Sequence, residues 1–278
     1  MPFTLSHPAA VMPLRRIRFL EPLALVIGSM LPDVPYFLPG ALANRFGETH
    51  TLRGSIVTDL PLGVLLLVIV LLVRHPLVAL LSDRARSVFL GVTRRFAARP
   101  LNWLLAVPSL VIGCWTHIIW DSFTHERGAA VRRIEVLSAP ISVLGLYDGQ
   151  VYHLLQYASS LLGLIVLMYW YRELASAAPG QVPAGGVSLT ARRVLLAMVV
   201  IAAGTIGSIQ GYHSHLRFPT FYGLAYLLLT RSLAWFGLLY VLVGTLVALA
   251  ERFFSRRERR EPKAERQPEP RPVRSEIQ

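Results

Sequence analysis

The sequence predicts an all-α protein: a polytopic transmembrane helical bundle with about five spans, preceded by a short N-terminal helical hairpin. Two observations carry that prediction. The composition is 54% hydrophobic and only 16% charged across 278 residues, a balance too apolar for a soluble chain of this length. The apolar residues also fall in runs separated by arginine-rich segments, and the runs have the length, about 20 residues, that a helix needs to cross the hydrocarbon core.

The N-terminus reads as a hairpin because His7 to Ile17 and Glu21 to Leu31 are each too short to cross alone and flank a basic turn with Arg15, Arg16 and Arg18. No Lys or Arg precedes Arg15, and Pro8 and Pro13 interrupt the approach, which does not suit a secretory signal. Spans follow at about Ile56 to Val73, Leu101 to Trp120, Val151 to Tyr171, Val194 to Tyr212 and Ser232 to Ala250. Phe221 to Thr230 is also apolar but ends at Arg231, so it reads as an interfacial or re-entrant piece separate from the last span. Pro179 to Gly186 reads as a loop. Residues 1–250 thus form an integral membrane domain. Residues 251–278, rich in Arg, Glu and Pro with almost nothing apolar past Phe254, read as a basic disordered tail because they cannot pack a core.

Loop arginines set the expected orientation, since Lys and Arg near span ends stay in the cytoplasm. Arg74 to Arg99 carries six arginines, Arg172 to Arg193 three, and the chain from Arg252 onward nine Lys or Arg. These segments share one face and place the tail in the cytoplasm. The net charge of +12 then reflects topology and the tail, so membrane lipids are the expected partner and nucleic acid is not. The lone cysteine, Cys114, lies in an apolar span and reads as packing, with no cysteine metal knuckle.

Ionisable residues at membrane depth are costly and usually mark a site. The most informative string is T-H-I-I-W-D-S-F-T-H, Thr116 to His125. On a helix, His117 and Asp121 share a face and can reach one metal ion, with His125 about one turn further on. An interhelical hydrogen-bonding pair would use the same spacing. The topology brings other groups to that end: His50 precedes a span, His7 opens the hairpin and Asp33 closes it. Imidazole and carboxylate ligands suit zinc first, and also iron or manganese. His153, His213 and His215 read as interfacial, and His75 as a boundary residue.

The opening M-P-F-T-L-S-H-P-A-A, then G-S-M-L-P-D-V-P-Y-F, T-H-T-L-R-G and T-H-I-I-W-D-S-F-T-H, resembles the bacterial membrane family of domain of unknown function 4184 over roughly residues 1–170. Its ordered His, Pro-Asp, His and His-x-x-x-Asp pattern is similar to inner-membrane metal-dependent hydrolases, and more distantly to zinc-dependent phospholipase C and single-strand nucleases. The resemblance implies His7, Asp33, His50, His117 and Asp121 as metal ligands and a place in the bacterial inner membrane. The further His-x-x-x-Glu helix of the distant relatives has no counterpart here, so one or two metal ions are expected.

The function expected is hydrolysis of an ester or phosphoester at the outer membrane face, by a metal that acidifies water and polarises the scissile group. Glu126, Glu48 or Asp59 are candidate bases, and Arg53, Arg127, Arg132 and Arg133 are candidate phosphate partners. The alternative is a non-catalytic membrane protein whose His/Asp cluster is a structural metal or hydrogen-bond site.

Overall fold

A computed structural model describes residues 4–38, 40–143, 147–177, 187–215 and 221–260. In chain order its main helices are α1 (Pro22–Gly28), α2 (Leu52–Leu72), α3 (Asp83–Ala97), α4 (Pro100–Thr124), α5 (Val151–Ala177), α6 (Leu189–His215) and α7 (Phe221–Arg260). Among the described residues five of these, α2 and α4 to α7, are long and apolar enough to cross a membrane. Their outward faces carry Leu65, Leu161, Ile201 and Leu242, each more than half exposed, as suits a lipid solvent and not water.

The N-terminal hairpin is present, but mostly as tight 3₁₀ turns. Its first arm is 3₁₀ over Thr4–Val11, with Pro8 inside, because proline removes the N–H that an α-helix would use. The second arm is α1, opened by Pro22 and capped by the Glu21 carboxylate, which accepts from the Ala24 N–H at 2.8 Å. It continues as a 3₁₀ segment over Leu31–Phe37, again proline-rich. The basic turn between the arms is anchored by Arg15, which pairs with Glu173 near the end of α5 at 2.9 Å and lies over the Trp170 ring. This places the turn at the arginine-rich end of the spans. The open end of the hairpin therefore lies at the opposite, histidine end.

Hairpin and bundle meet where α1 crosses α4. A Cβ at Gly28 would collide with the Leu110 carbonyl, and one at Gly113 would sit 2.5 Å from the Leu25 carbonyl oxygen. Only paired glycines allow this backbone approach. Around it Ala24, Leu31, Leu67, Ala106, Leu110 and Cys114 form a closed apolar core, so Cys114 serves packing as its surroundings suggested.

Three parts differ from the sequence reading. Phe221 to Thr230 is no separate re-entrant piece: α7 runs unbroken through Arg231, whose guanidinium donates to the Leu38 carbonyl at 3.3 Å and so is tolerated within the helix. The helix also continues past Ala250 to Arg260, so residues 251–260 of the expected tail are helical. Glu251 is held there by buried Arg86 and Arg192. Residues 261–278 and the Pro179–Gly186 segment lie outside the described residues. Finally, β1 (Pro140–Val143) and β2 (Tyr147–Gln150) pair antiparallel, Ile141 opposite Gly149, just before α5. This small ribbon lacks a long alternating pattern that would have announced it.

Candidate metal centre

Four separate pieces of chain supply the cluster. His7 comes from the first 3₁₀ arm, Asp33 from the second, His50 from the turn before α2, and His117 and Asp121 from one face of α4 at the histidine end. One ligand atom each from Asp33, His50, His117 and Asp121 lie within 4.8 Å of one another. His117 is fully buried, Asp33 and Asp121 are buried, and His50 is a third exposed at its side chain, so the centre is open on the His50 side.

Hydrogen bonds fix the direction of both central imidazoles. His117 Nδ1 lies 2.8 Å from the Ser29 carbonyl oxygen, which can only accept, so Nδ1 carries the proton. In the neutral ring Nε2 is then a lone pair, and it points at Asp121 Oδ2 (3.3 Å) and Asp33 Oδ1 (3.6 Å), with no hydrogen-bond partner. The same logic applies to His50. The Thr49 hydroxyl donates to the Pro32 carbonyl at 3.0 Å, so it can only accept from His50 Nδ1 at 3.2 Å. This leaves His50 Nε2 facing Asp33 Oδ1 (3.4 Å) and Asp121 Oδ2 (3.7 Å). Thr4 completes the frame by donating to Asp33 Oδ2 at 2.7 Å, which turns Oδ1 toward the imidazoles.

Two lone pairs aimed at two carboxylates repel unless a positive charge sits among them, either a proton on an imidazole or a metal ion that takes its place. The spacing fits that role. Ligand bonds of about 2.1 Å in a tetrahedral arrangement put neighbouring ligand atoms about 3.4 Å apart, and the four nitrogen–oxygen separations here are 3.3, 3.4, 3.6 and 3.7 Å. They are longer than ordinary charge-assisted hydrogen bonds, about 2.7–2.9 Å. The outer hydrogen bonds that His117 and His50 donate and that Asp33 accepts are of the kind that orients metal ligands in general.

His7 and His125 flank this group. The His7 ring stacks on His117 with centroids 3.8 Å apart, and its Nε2 lies 3.6 Å from Asp121 Oδ1. Both its ring nitrogens are buried without a hydrogen-bond partner. Burial, reinforced by the neighbouring His117, pushes the His7 imidazole down to about 4 and so keeps it neutral at pH 7. His125 ends α4, with Nδ1 3.5 Å from Asp121 Oδ1 and 3.2 Å from the Asp121 carbonyl oxygen. For Asp33, burial acts to raise the carboxyl, but His117 and His50, when protonated, and the Thr4 hydroxyl outweigh it and hold the group well below the usual carboxylate range.

Asp59 lies nearby on the π-helical stretch of α2, fully buried with neither oxygen hydrogen-bonded. Glu48 lines, with His50 and Tyr36, a cavity of about 410 Å³. Arg53, Arg127, Arg132 and Arg133 are all exposed, and His153 and His213 pack against tyrosines away from the cluster. Sequence reasoning missed the orienting groups. Thr4 had a faint signal, since it precedes His7 by three residues and so shares its side of a 3₁₀ turn. The Ser29 carbonyl is backbone and had none.

Fold and site together define a multi-pass helical membrane protein with a His/Asp group able to hold a metal ion. The chain belongs to the family described as Domain of unknown function (DUF4184), whose model matches residues 1–250. No curated protein and no solved structure is recognisably similar to it.

Proposed function

We propose that this protein is a membrane-embedded, metal-dependent hydrolase acting on an ester or phosphoester at the histidine end of the bundle, with Asp33, His50, His117 and Asp121 as metal ligands and His7 and His125 beside them. The observation that carries this reading is the orientation of His50 and His117: each Nδ1 is occupied as a donor, and each Nε2 is aimed at the same two carboxylates. Zinc suits imidazole and carboxylate ligands best, with iron or manganese next. A divalent ion held there supplies Lewis acidity and makes water a nucleophile near neutral pH.

The chain's own groups account for the rest. His50, a third exposed, faces the cavity through which water reaches the centre. Glu48 lies on the rim of that cavity and is placed to take a proton from a water entering it. The close packing of α1 on α4 excludes water from the other side, where His117 is fully buried. With the arginine-rich end in the cytoplasm, the site faces the outer side of the cell membrane.

The test is turnover of soluble nitrophenyl esters and phosphoesters by detergent-purified protein supplied with zinc, iron(II) or manganese(II). Expected is metal-dependent hydrolysis that a chelator abolishes and Asp121→Asn lowers at least a hundredfold. Equal turnover in wild type and Asp121→Asn would refute the assignment. Bound metal with no turnover on any ester would favour the structural alternative.

A further inference from the structure

We infer that the substrate of this centre is an anionic amphiphile whose hydrocarbon chain lies in the groove between the Thr4–Val11 segment, α5 and α7, with its head at the His/Asp cluster. The inference rests on the hydrolase reading and adds the substrate class. The groove has a volume of about 600 Å³ and an overwhelmingly apolar lining that includes Leu5, Phe37, Tyr157, Leu229, Leu233 and Phe236. That volume lies within the range of small-molecule sites, roughly 300–1,000 Å³.

Three observations choose a substrate chain as its occupant. First, the groove adjoins the metal centre, because Thr4 lines it and also donates to Asp33 Oδ2 at 2.7 Å. A single side chain separates the groove from a ligand carboxylate.

Second, the groove lies at hydrocarbon depth. At about 1.5 Å per helical residue, Tyr157 on α5 and Phe236 on α7 sit roughly 9 and 22 Å in from the histidine-end starts of their helices. A cleft within the spans opens toward hydrocarbon and not toward water. The water-side cavity reaches His50 from elsewhere, and Tyr36, which lines it, meets Tyr226 of the groove edge to face with ring centroids 6.2 Å apart. The two tyrosines form a partition, with chain on one side and water on the other.

Third, a cation is stationed at the seam. Arg231 lies on α7 beside groove-lining Thr230, and its guanidinium reaches Leu38, next to groove-lining Phe37, at 3.3 Å. Its Nε is buried without a hydrogen-bond partner. An arginine within an apolar span is costly, and an anionic head would supply its missing acceptor.

The probe for testing this is hexadecyl phosphate carrying a diazirine near the chain end, in phosphatidylcholine nanodiscs holding the full-length protein. Photolabelling is mapped by mass spectrometry, with metal content measured on the same samples. Expected is labelling concentrated on the groove faces of α5 and α7, at least fivefold above that on Leu65 of α2 or Ile201 of α6. Leu229→Trp should cut it at least fivefold, whereas Leu242→Trp, on the same helix outside the groove, should not. Unlabelled hexadecyl phosphate should compete in the wild type, and inorganic phosphate at the same concentration should not. Labelling spread in proportion to exposed surface, or competition by inorganic phosphate as strong as by the amphiphile, would overturn the inference whether or not the variants fold. Metal retained without selective labelling rejects the groove alone. Selective labelling without metal in any preparation rejects the hydrolase reading, and with it the claim that the bound amphiphile is a substrate.

Discussion

At the arginine-rich end of the bundle, Glu251 on α7 receives Arg86 of α3 at 2.8 and 3.0 Å and Arg192 of α6 at 3.3 Å, while Arg192 also reaches Asp83 at 2.7 Å. At the histidine end, the closest approach of an imidazole nitrogen to a carboxylate is 3.3 Å. Both clusters are largely buried, and both tie together distant parts of the chain. The first meets each carboxylate with guanidinium N–H groups in hydrogen-bond geometry, so its charges answer one another, although Arg86 Nε and Arg192 Nε are buried without partners. The second faces imidazole Nε2 atoms toward carboxylates beyond hydrogen-bond distance and leaves His7, His117 Nε2 and Asp121 Oδ1 without hydrogen-bond partners. A buried cluster whose opposite charges meet at hydrogen-bond distance is a latch, whereas one whose imidazoles and carboxylates stand further apart has room for an ion.

If that contrast holds, substitutions at the two ends should have opposite signatures. The largest effect on stability is expected from Arg86→Met, which removes both of the short hydrogen bonds to the buried Glu251 carboxylate and leaves it only Arg192 at 3.3 Å. Breaking such a pair costs about 3–5 kcal/mol, read as a fall in thermal unfolding temperature in detergent, with metal per folded molecule unchanged. Asp121→Asn should do the reverse, abolishing metal binding while leaving the metal-free protein as stable as wild type or more so, because it removes a carboxylate from a site where two face imidazole lone pairs. A metal-free Asp121→Asn protein that melts far below the metal-free wild type would contradict this.

Smaller effects should sharpen the comparison. Thr49→Val frees His50 to turn its ring and should weaken metal affinity about 10–100-fold, the usual cost of losing an orienting group, measured by competition with a chelator of known strength. Thr4→Val, which removes the hydrogen bond to Asp33 Oδ2, should act in the same direction. The smallest effect is expected for His125→Gln, since its Nδ1 is already within 3.2 Å of the Asp121 carbonyl and its ring lies outside the group of four. Metal affinity there should change less than fivefold.

The difference between the two ends also explains what the sequence disclosed. The spans were legible because lipid demands long apolar runs, and four of the five begin or end within a few residues of the expected bounds. The clustering of the His and Asp residues was legible because such residues are conspicuous at membrane depth, and because span alternation alone brings His50, His117 and Asp121 to one end. Arg231 misled because a charge ordinarily ends a span. Its neutral partner, the Leu38 carbonyl, belongs to a segment far away in sequence. Glu251 misled for the mirror reason: it opens a charged stretch and looks solvated, yet its partners come from α3 and α6. The orienting groups were the least legible. Ser29 acts through its backbone, and Thr49 acts only because Pro32 accepts its proton. Such roles depend on tertiary neighbours and leave no periodic trace.

The central claim, that the histidine end is a metal centre, is tested most directly by metal content. Wild-type protein and a His117→Ala, Asp121→Ala double variant would be purified in detergent, incubated with zinc, iron(II) or manganese(II), desalted and analysed by elemental mass spectrometry. The predicted result is one to two metal ions per wild-type chain, zinc retained best, and near none in the variant. No retained metal in wild type under any of the three conditions, or equal retention in the variant, would contradict it.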